Sequence, residues 1–177
     1  IGQSAQIERR EGNLKALAEH PEVKVLEMKT ANWSRAEALA LMENWLTAHP
    51  GKINGVIGQN DEMALGAVKA IKAAGLTLSD FAIAGIDGVS DAIQAVKNRE
   101  MDLSIIQDAV SQARGALDIA LRHLVGESYQ PMSDCWKDYP DMPWNGGTDS
   151  TYNVPWTPIT TANVAEQWAK RQELTNR

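Results

Sequence analysis

Two hydrophobic periodicities alternate along residues 1–107. From about Ala5 to His20 the apolar residues Ile7, Leu14, Leu17 and Ala18 recur at helical spacing. His20-Pro21 stops the run, because the residue before a proline is pushed out of the helical region. Val23, Val25 and Leu26 then predict a short strand. Ser34 followed by Glu37 has the spacing of a capping box. The helix it opens runs to about Ala48, with Leu39, Met42, Trp45 and Leu46 on one face, and Pro50-Gly51 ends it. Ile53, Val56 and Ile57 predict a second strand. Residues 61–74 predict an alanine-rich helix with Leu65, Val68 and Ile71 inward and Gly75 at its C′ position. A third strand at Phe81–Ile86, a helix at Val89–Asn98, a fourth strand at Leu103–Ile106 and a helix at about Val110–Val125 complete the series. This rhythm predicts an α/β fold: a three-layer parallel sheet with helices on both faces and right-handed crossovers.

The rhythm breaks after Gly126. Residues 127–160 are rich in Pro, Trp, Asp and Gly, with Asn145-Gly146-Gly147 and prolines at 131, 140, 143, 155 and 158, and predict a long irregular excursion with room for short strands. Thr161 is placed to cap a last helix, Ala162–Leu174. No internal repeat interrupts the reading.

Composition narrows the function. The 177 residues are 44% hydrophobic and 23% charged, enough apolar material for a core without disulfide or metal staples. A net charge of −6 disfavours nucleic acid and anionic membranes, which need clustered Lys and Arg. No window approaches the ~20 apolar residues of a membrane span. The chain opens on Ile1-Gly2 without an initiator Met or a signal sequence, as expected of the interior of a longer protein.

Catalytic patterns are missing. No Cys/His group has zinc spacing, so no metal or cofactor is expected. No GxSxG elbow, phosphate loop or GxGxxG occurs. The lone Cys135 has no evident histidine partner and reads as a packed or exposed thiol rather than a nucleophile.

In an open parallel sheet, ligands bind beyond the carboxyl ends of the strands. Gln59, Asn60 and Asp61 follow the second strand, Asp87-Gly88 the third, and Gln107-Asp108 the fourth; Trp33 comes shortly after the first. One aromatic face, carboxamides that donate and accept, and a carboxylate that accepts suit a polyhydroxylated ligand. Each also has a plainer reading. Asn60 is equally placed to cap the next helix, Asp87-Gly88 to form a turn, and Trp33 to pack on the surface. Hydrolysis on Asp61 and Asp87 has the least support, because nothing is arranged as nucleophile plus base.

At this level the residues resemble a known family. GQNDEMALGA at Gly58–Ala67, Gly85-Ile86-Asp87-Gly88, Ser104-Ile105-Ile106-Gln107, the opening Ser4-Ala5 with Glu8-Arg9-Arg10-Glu11-Gly12, and TPITTANVAE at Thr157–Glu166 resemble periplasmic sugar-binding proteins of the ribose-binding type. The resemblance covers nearly the whole chain except about 130–155.

It implies a type I periplasmic-binding-protein-like lobe: residues 1–107 as the C-terminal ligand-binding lobe, 108–130 as a helix of an otherwise absent N-terminal lobe, and 131–177 as a return segment with the C-terminal helix. It implies the solute-binding component of an ABC importer, periplasmic or extracellular and lipid-anchored, with a signal peptide in its precursor. The implied partners are a small sugar or polyol and a membrane permease, with self-association possible through the surface left by the missing lobe. Trp33 would stack on the sugar, and Asn60, Asp87 and Gln107 would bond its hydroxyls. The family's ribose binders carry a first-helix arginine where this chain has Ile7, which implies a different sugar or a polyol. Trp136, Tyr139, Trp144 and Trp156 are expected to cover the hinge or the first lobe. The effector-binding domain of a lactose-repressor-type regulator is the alternative, since QNDEMALGA occurs there too.

Overall fold

The computed structural model describes residues 2–175 and has α/β architecture. By contacts it divides into two units, residues 1–105 with 158–177, and residues 106–157. The elements in order are α1 (Ser4–Ala18), α2 (Arg35–Ala48), β1 (Gly55–Ile57), α3 (Asp61–Ala73), β2 (Ala82–Asp87), α4 (Ser90–Lys97), β3 (Leu103–Ile106), α5 (Ala109–Val125), α6 (Cys135–Asp138), β4 (Thr157–Ile159) and α7 (Val164–Thr175). The strands form one sheet in the order β1-β2-β3-β4. β1 and β2 run parallel, with Gly55 opposite Ala82 and Ile57 opposite Ala84.

In the first unit the helices form where the sequence supplies caps. Ser34 accepts from the Glu37 amide and opens α2. The Glu37 carboxylate bonds the Asn32 side chain instead of reaching back to Ser34. Asn60 opens α3 by accepting from the Met63 amide at 2.9 Å. α3 ends in a Schellman motif: Leu76 N donates to Ile71 O, Gly75 N donates to Lys72 O, and Gly75 takes φ +72°. The core lies around α3 and β2, with Met42, Ile71, Ile83, Ile93, Val96, Met101 and Ile159 essentially inaccessible. Gly66 lets α2 and α3 touch, since a Cβ there would lie 2.3 Å from the Arg35 carbonyl oxygen.

Two sequence expectations fail. Val23, Val25 and Leu26 form no strand and are about half exposed. A strand needs a neighbour to accept its hydrogen bonds, and among the described residues no backbone bond ties 24–30 to the edge strand β1. A short strand within the proline-rich excursion, β4, joins the sheet. The last helix is capped by Thr160 rather than Thr161: Thr160 Oγ1 accepts from Ala162 N, Asn163 Oδ1 accepts from Thr160 N, and the regular helix runs from Val164.

The second unit has its own core, of Cys135, Trp136, Met142 and Val154 packed by Ile119, Tyr139, Trp144 and Tyr152. Trp136 meets the rings of Trp144 and Tyr152 edge-on, at centroid distances of 4.9 and 5.2 Å. Asp118, buried in α5, anchors this core. It accepts from Tyr129 Oη (2.7 Å), Met132 N (3.0 Å), Ser133 N (3.2 Å) and Trp136 Nε1 (2.8 Å). Burial alone would raise the Asp118 carboxyl, but these bonds hold it below the ordinary carboxylate range. Trp136, Tyr139 and Trp144 therefore build an internal core, whereas Trp156 is half exposed. Burial pushes the Cys135 thiol up, consistent with a packed side chain.

Candidate functional site

The site in the first unit is assembled at the carboxyl ends of β1 and β2. Asp87 is the last residue of β2, and Gln59 and Asn60 lie just past β1. An arginine that the sequence reading did not single out joins them. Arg9 of α1 donates through Nη1 to the Gln59 carbonyl at 2.7 Å and through Nη2 to Asp87 Oδ1 at 3.0 Å. Its guanidinium carbon lies 5.7 Å from the centroid of the Trp33 ring. The Arg9 side chain is 9% exposed and that of Asp87 35%.

Ile7, by contrast, is 42% exposed. The first helix thus supplies an arginine to this place after all, two residues beyond Ile7. Ile7 therefore does not leave this place without an arginine. The signal was present in Glu8-Arg9-Arg10-Glu11, but adjacent arginines on a helix with no buried residue give no indication of which one turns inward.

Trp33 is held by its backbone and its ring nitrogen. Asn60 Nδ2 donates to the Trp33 carbonyl at 3.3 Å, and Trp33 Nε1 donates to Gln3 Oε1 at 3.0 Å. Trp33 has φ +62° and Asp87 φ +117°, so both occupy a region that non-glycine residues rarely adopt. Such strain costs of order 1–3 kcal/mol each and persists where the surroundings enforce it. Asn60 both caps α3 and fixes Trp33, so its plainer reading is correct alongside any role in binding.

Asp87 Oδ1 takes the bond from Arg9, while Oδ2 accepts none from the described residues. Burial raises the Asp87 carboxyl, and the charge and hydrogen bond of Arg9 oppose the rise. Asp61 is wholly buried and is also raised, first by burial. Its oxygens accept from Ser104 Oγ (2.7 Å) and Val89 N (2.8 Å), so it binds protein rather than facing a substrate. That removes the second acid of a hydrolytic reading.

Gln107 belongs to the second unit, directly after β3. The next residue, Asp108, caps α5 through Ser111 and accepts from Tyr139 Oη at 2.6 Å. No group of three or more His, Cys, Asp or Glu among the described residues has the geometry of a metal centre.

Residues 1–128 match the family described as the periplasmic binding protein domain. The chain is 39% identical over 127 residues to the xylitol-binding protein of Mycolicibacterium smegmatis, covering 72% of this chain and 36% of that one. It is 39% identical over 129 residues to the ribose import binding protein of Salmonella typhimurium, covering 73% and 42%. Among solved structures, an ABC transporter solute-binding protein of Bacillus halodurans with bound myo-inositol superposes with a TM-score of 0.77 at 32% identity, over 96% of this chain and 52% of that one. The chain thus spans well under half the length of these curated relatives. Shared sequence over most of the chain and a shared fold place it in the periplasmic binding protein family, of the type that includes the ribose-binding proteins.

Proposed function

We propose that this chain is part of the solute-binding component of an ABC-type importer, taking a small sugar or polyol. The observation that carries the reading is the convergence of Arg9, Trp33, Asn60 and Asp87 at the strand ends. A guanidinium donates to hydroxyl oxygens, Asp87 Oδ2 accepts from a hydroxyl, and Trp33 offers a ring face for C–H groups. Gln107 stays a candidate on the resemblance alone. The named ligands of the relatives, xylitol, ribose and myo-inositol, are all polyhydroxylated and support the same class.

On this reading the protein captures its ligand without transforming it. Residues 1–107 would form the C-terminal lobe, 108–130 a helix of the other lobe, and 131–177 the return. The ligand would favour a closed state through contacts that only closure provides, and a membrane permease would read that state. This sets the protein in the periplasm or on the outer face of the membrane. α5 exposes Val110, Leu117, Leu124 and Val125, a surface suited to the rest of the protein or to self-association. The relatives above are solute-binding proteins, which leaves the repressor reading without support.

A thermal-shift screen of the full-length protein against sugars and polyols tests the proposal, because a ligand that binds only the folded state raises the melting temperature. At least one sugar or polyol should raise it in the wild type and not in Asp87→Ala. A flat screen would sink the reading.

A further inference from the structure

Asp87 holds φ +117°, a conformation an L residue keeps only when its neighbours enforce it. Three elements grip the two residues after it. Ser104 Oγ on β3 accepts from Gly88 N at 3.2 Å. Asp61 Oδ2, in the first turn of α3, accepts from Val89 N at 2.8 Å. Arg171 on α7 donates through Nη1 to the Gly88 carbonyl at 2.5 Å. Ser104 also donates to Asp61 Oδ1, so two of the three grips are joined, and both side chains are completely buried. Both backbone groups of Gly88 are thereby engaged, and rotating either peptide that flanks it breaks a bond.

We infer that Asp61, Ser104 and Arg171 form a clamp that aims the Asp87 carboxylate at the ligand, with Arg171 a positioning residue contributed by the C-terminal helix. The inference rests on the reading of Asp87 as the acceptor of a ligand hydroxyl. None of the three is needed to touch ligand. Gly85 belongs to the same device: a Cβ there would lie 2.3 Å from Asp61 Oδ1, so only glycine leaves room for the carboxylate beneath the turn. The clamp also explains why a helix 83 residues along the chain from Gly88 bears on the site.

The test is calorimetric titration of the full-length protein with D-ribose, xylitol and myo-inositol. Wild type is measured first, then Arg171→Ala, Arg171→Lys, Ser104→Ala and the double variant Arg171→Ala/Ser104→Ala. Losing one of the grips should weaken the best-bound probe about tenfold, the effect of one hydrogen bond's worth of positioning. Arg171→Lys, which keeps a donor for the Gly88 carbonyl, should restore most of the affinity. The double variant should lose less than the product of the two single losses, because both act on one peptide. Unchanged affinity with a lower melting temperature in Arg171→Ala would make the contact a structural staple and overturn the inference, as would a Lys variant no better than Ala. A wild type that binds none of these probes and no sugar or polyol of the thermal-shift screen overturns the functional reading, and the inference with it.

Discussion

Replacing Arg9 by Met removes the charge while keeping much of the side chain's bulk. Among the described residues its bonds to Asp87 Oδ1 and to the Gln59 carbonyl are lost. A hydrogen bond to a charged group contributes about 1.5–3 kcal/mol, and stranding a buried partner adds to that. Asp87 is about one-third exposed, so solvent screens part of the loss. The expected net cost is about 2 kcal/mol at neutral pH, roughly 4–8 °C in melting temperature for a chain of this size.

The sign with pH follows from Asp87. Its folded pKa is raised, so its burial stabilises the fold fully only below the unfolded value, and that contribution is lost as pH rises through the folded one. Arg9 limits the loss only while Asp87 is ionised. The penalty of Arg9→Met should therefore be largest at neutral pH and shrink as pH falls through the folded pKa of Asp87. Urea melts of Arg9→Met, Asp87→Asn and the double variant in neutral and acid buffer measure this. The two single losses should exceed the double by at least about 1 kcal/mol at neutral pH. Additive losses, or a pH-independent penalty for Arg9→Met, would refute the pairing.

Other outcomes follow from the same structure. Asp118→Ala leaves four donors without their acceptor and should cost about 3 kcal/mol, seen as lost hydrogen-exchange protection over residues 129–136. The folded pKa of Asp118 is depressed, so its stabilisation is present above the unfolded value and lost as pH falls through the folded one; the variant's penalty should fade in acid. Asn60→Ala should lower stability by about 1 kcal/mol in a chemical melt through the lost α3 cap, and loosen Trp33 as well. Gly85→Ala should cost about 1–3 kcal/mol by the same measurement, because its Cβ overlaps Asp61.

The parts of this protein set by local chemistry were legible in its sequence. Ser34 and Asn60 announced their helices, Gly75 ended one, and the apolar runs at 81–86 and 103–106 located the central strands. The strand-end rule singled out Asn60 and Asp87, which the fold sets at the ends of neighbouring strands. Residues whose role depends on distant partners were not legible. Arg9 looks like any solvated helix arginine until α1 is set beside β2. Val23 and Val25 alternate like a strand, but among the described residues no backbone bond ties this stretch to β1. Asp118 is a lone acid in a helix, and only the fold of 129–136 brings four donors to it. The clamp on Gly88 joins α3, β3 and α7, which no window of sequence contains.

The account turns on a polyhydroxylated ligand resting against Trp33 and Asp87. The direct measurement is the indole N–H resonance of Trp33 in the full-length protein, assigned with Trp33→Phe, during titration with D-ribose, xylitol and myo-inositol. The account predicts that a sugar or polyol which binds shifts that resonance saturably, and that Asp87→Ala abolishes the shift. A ligand that binds tightly while the Trp33 resonance stays still would contradict it.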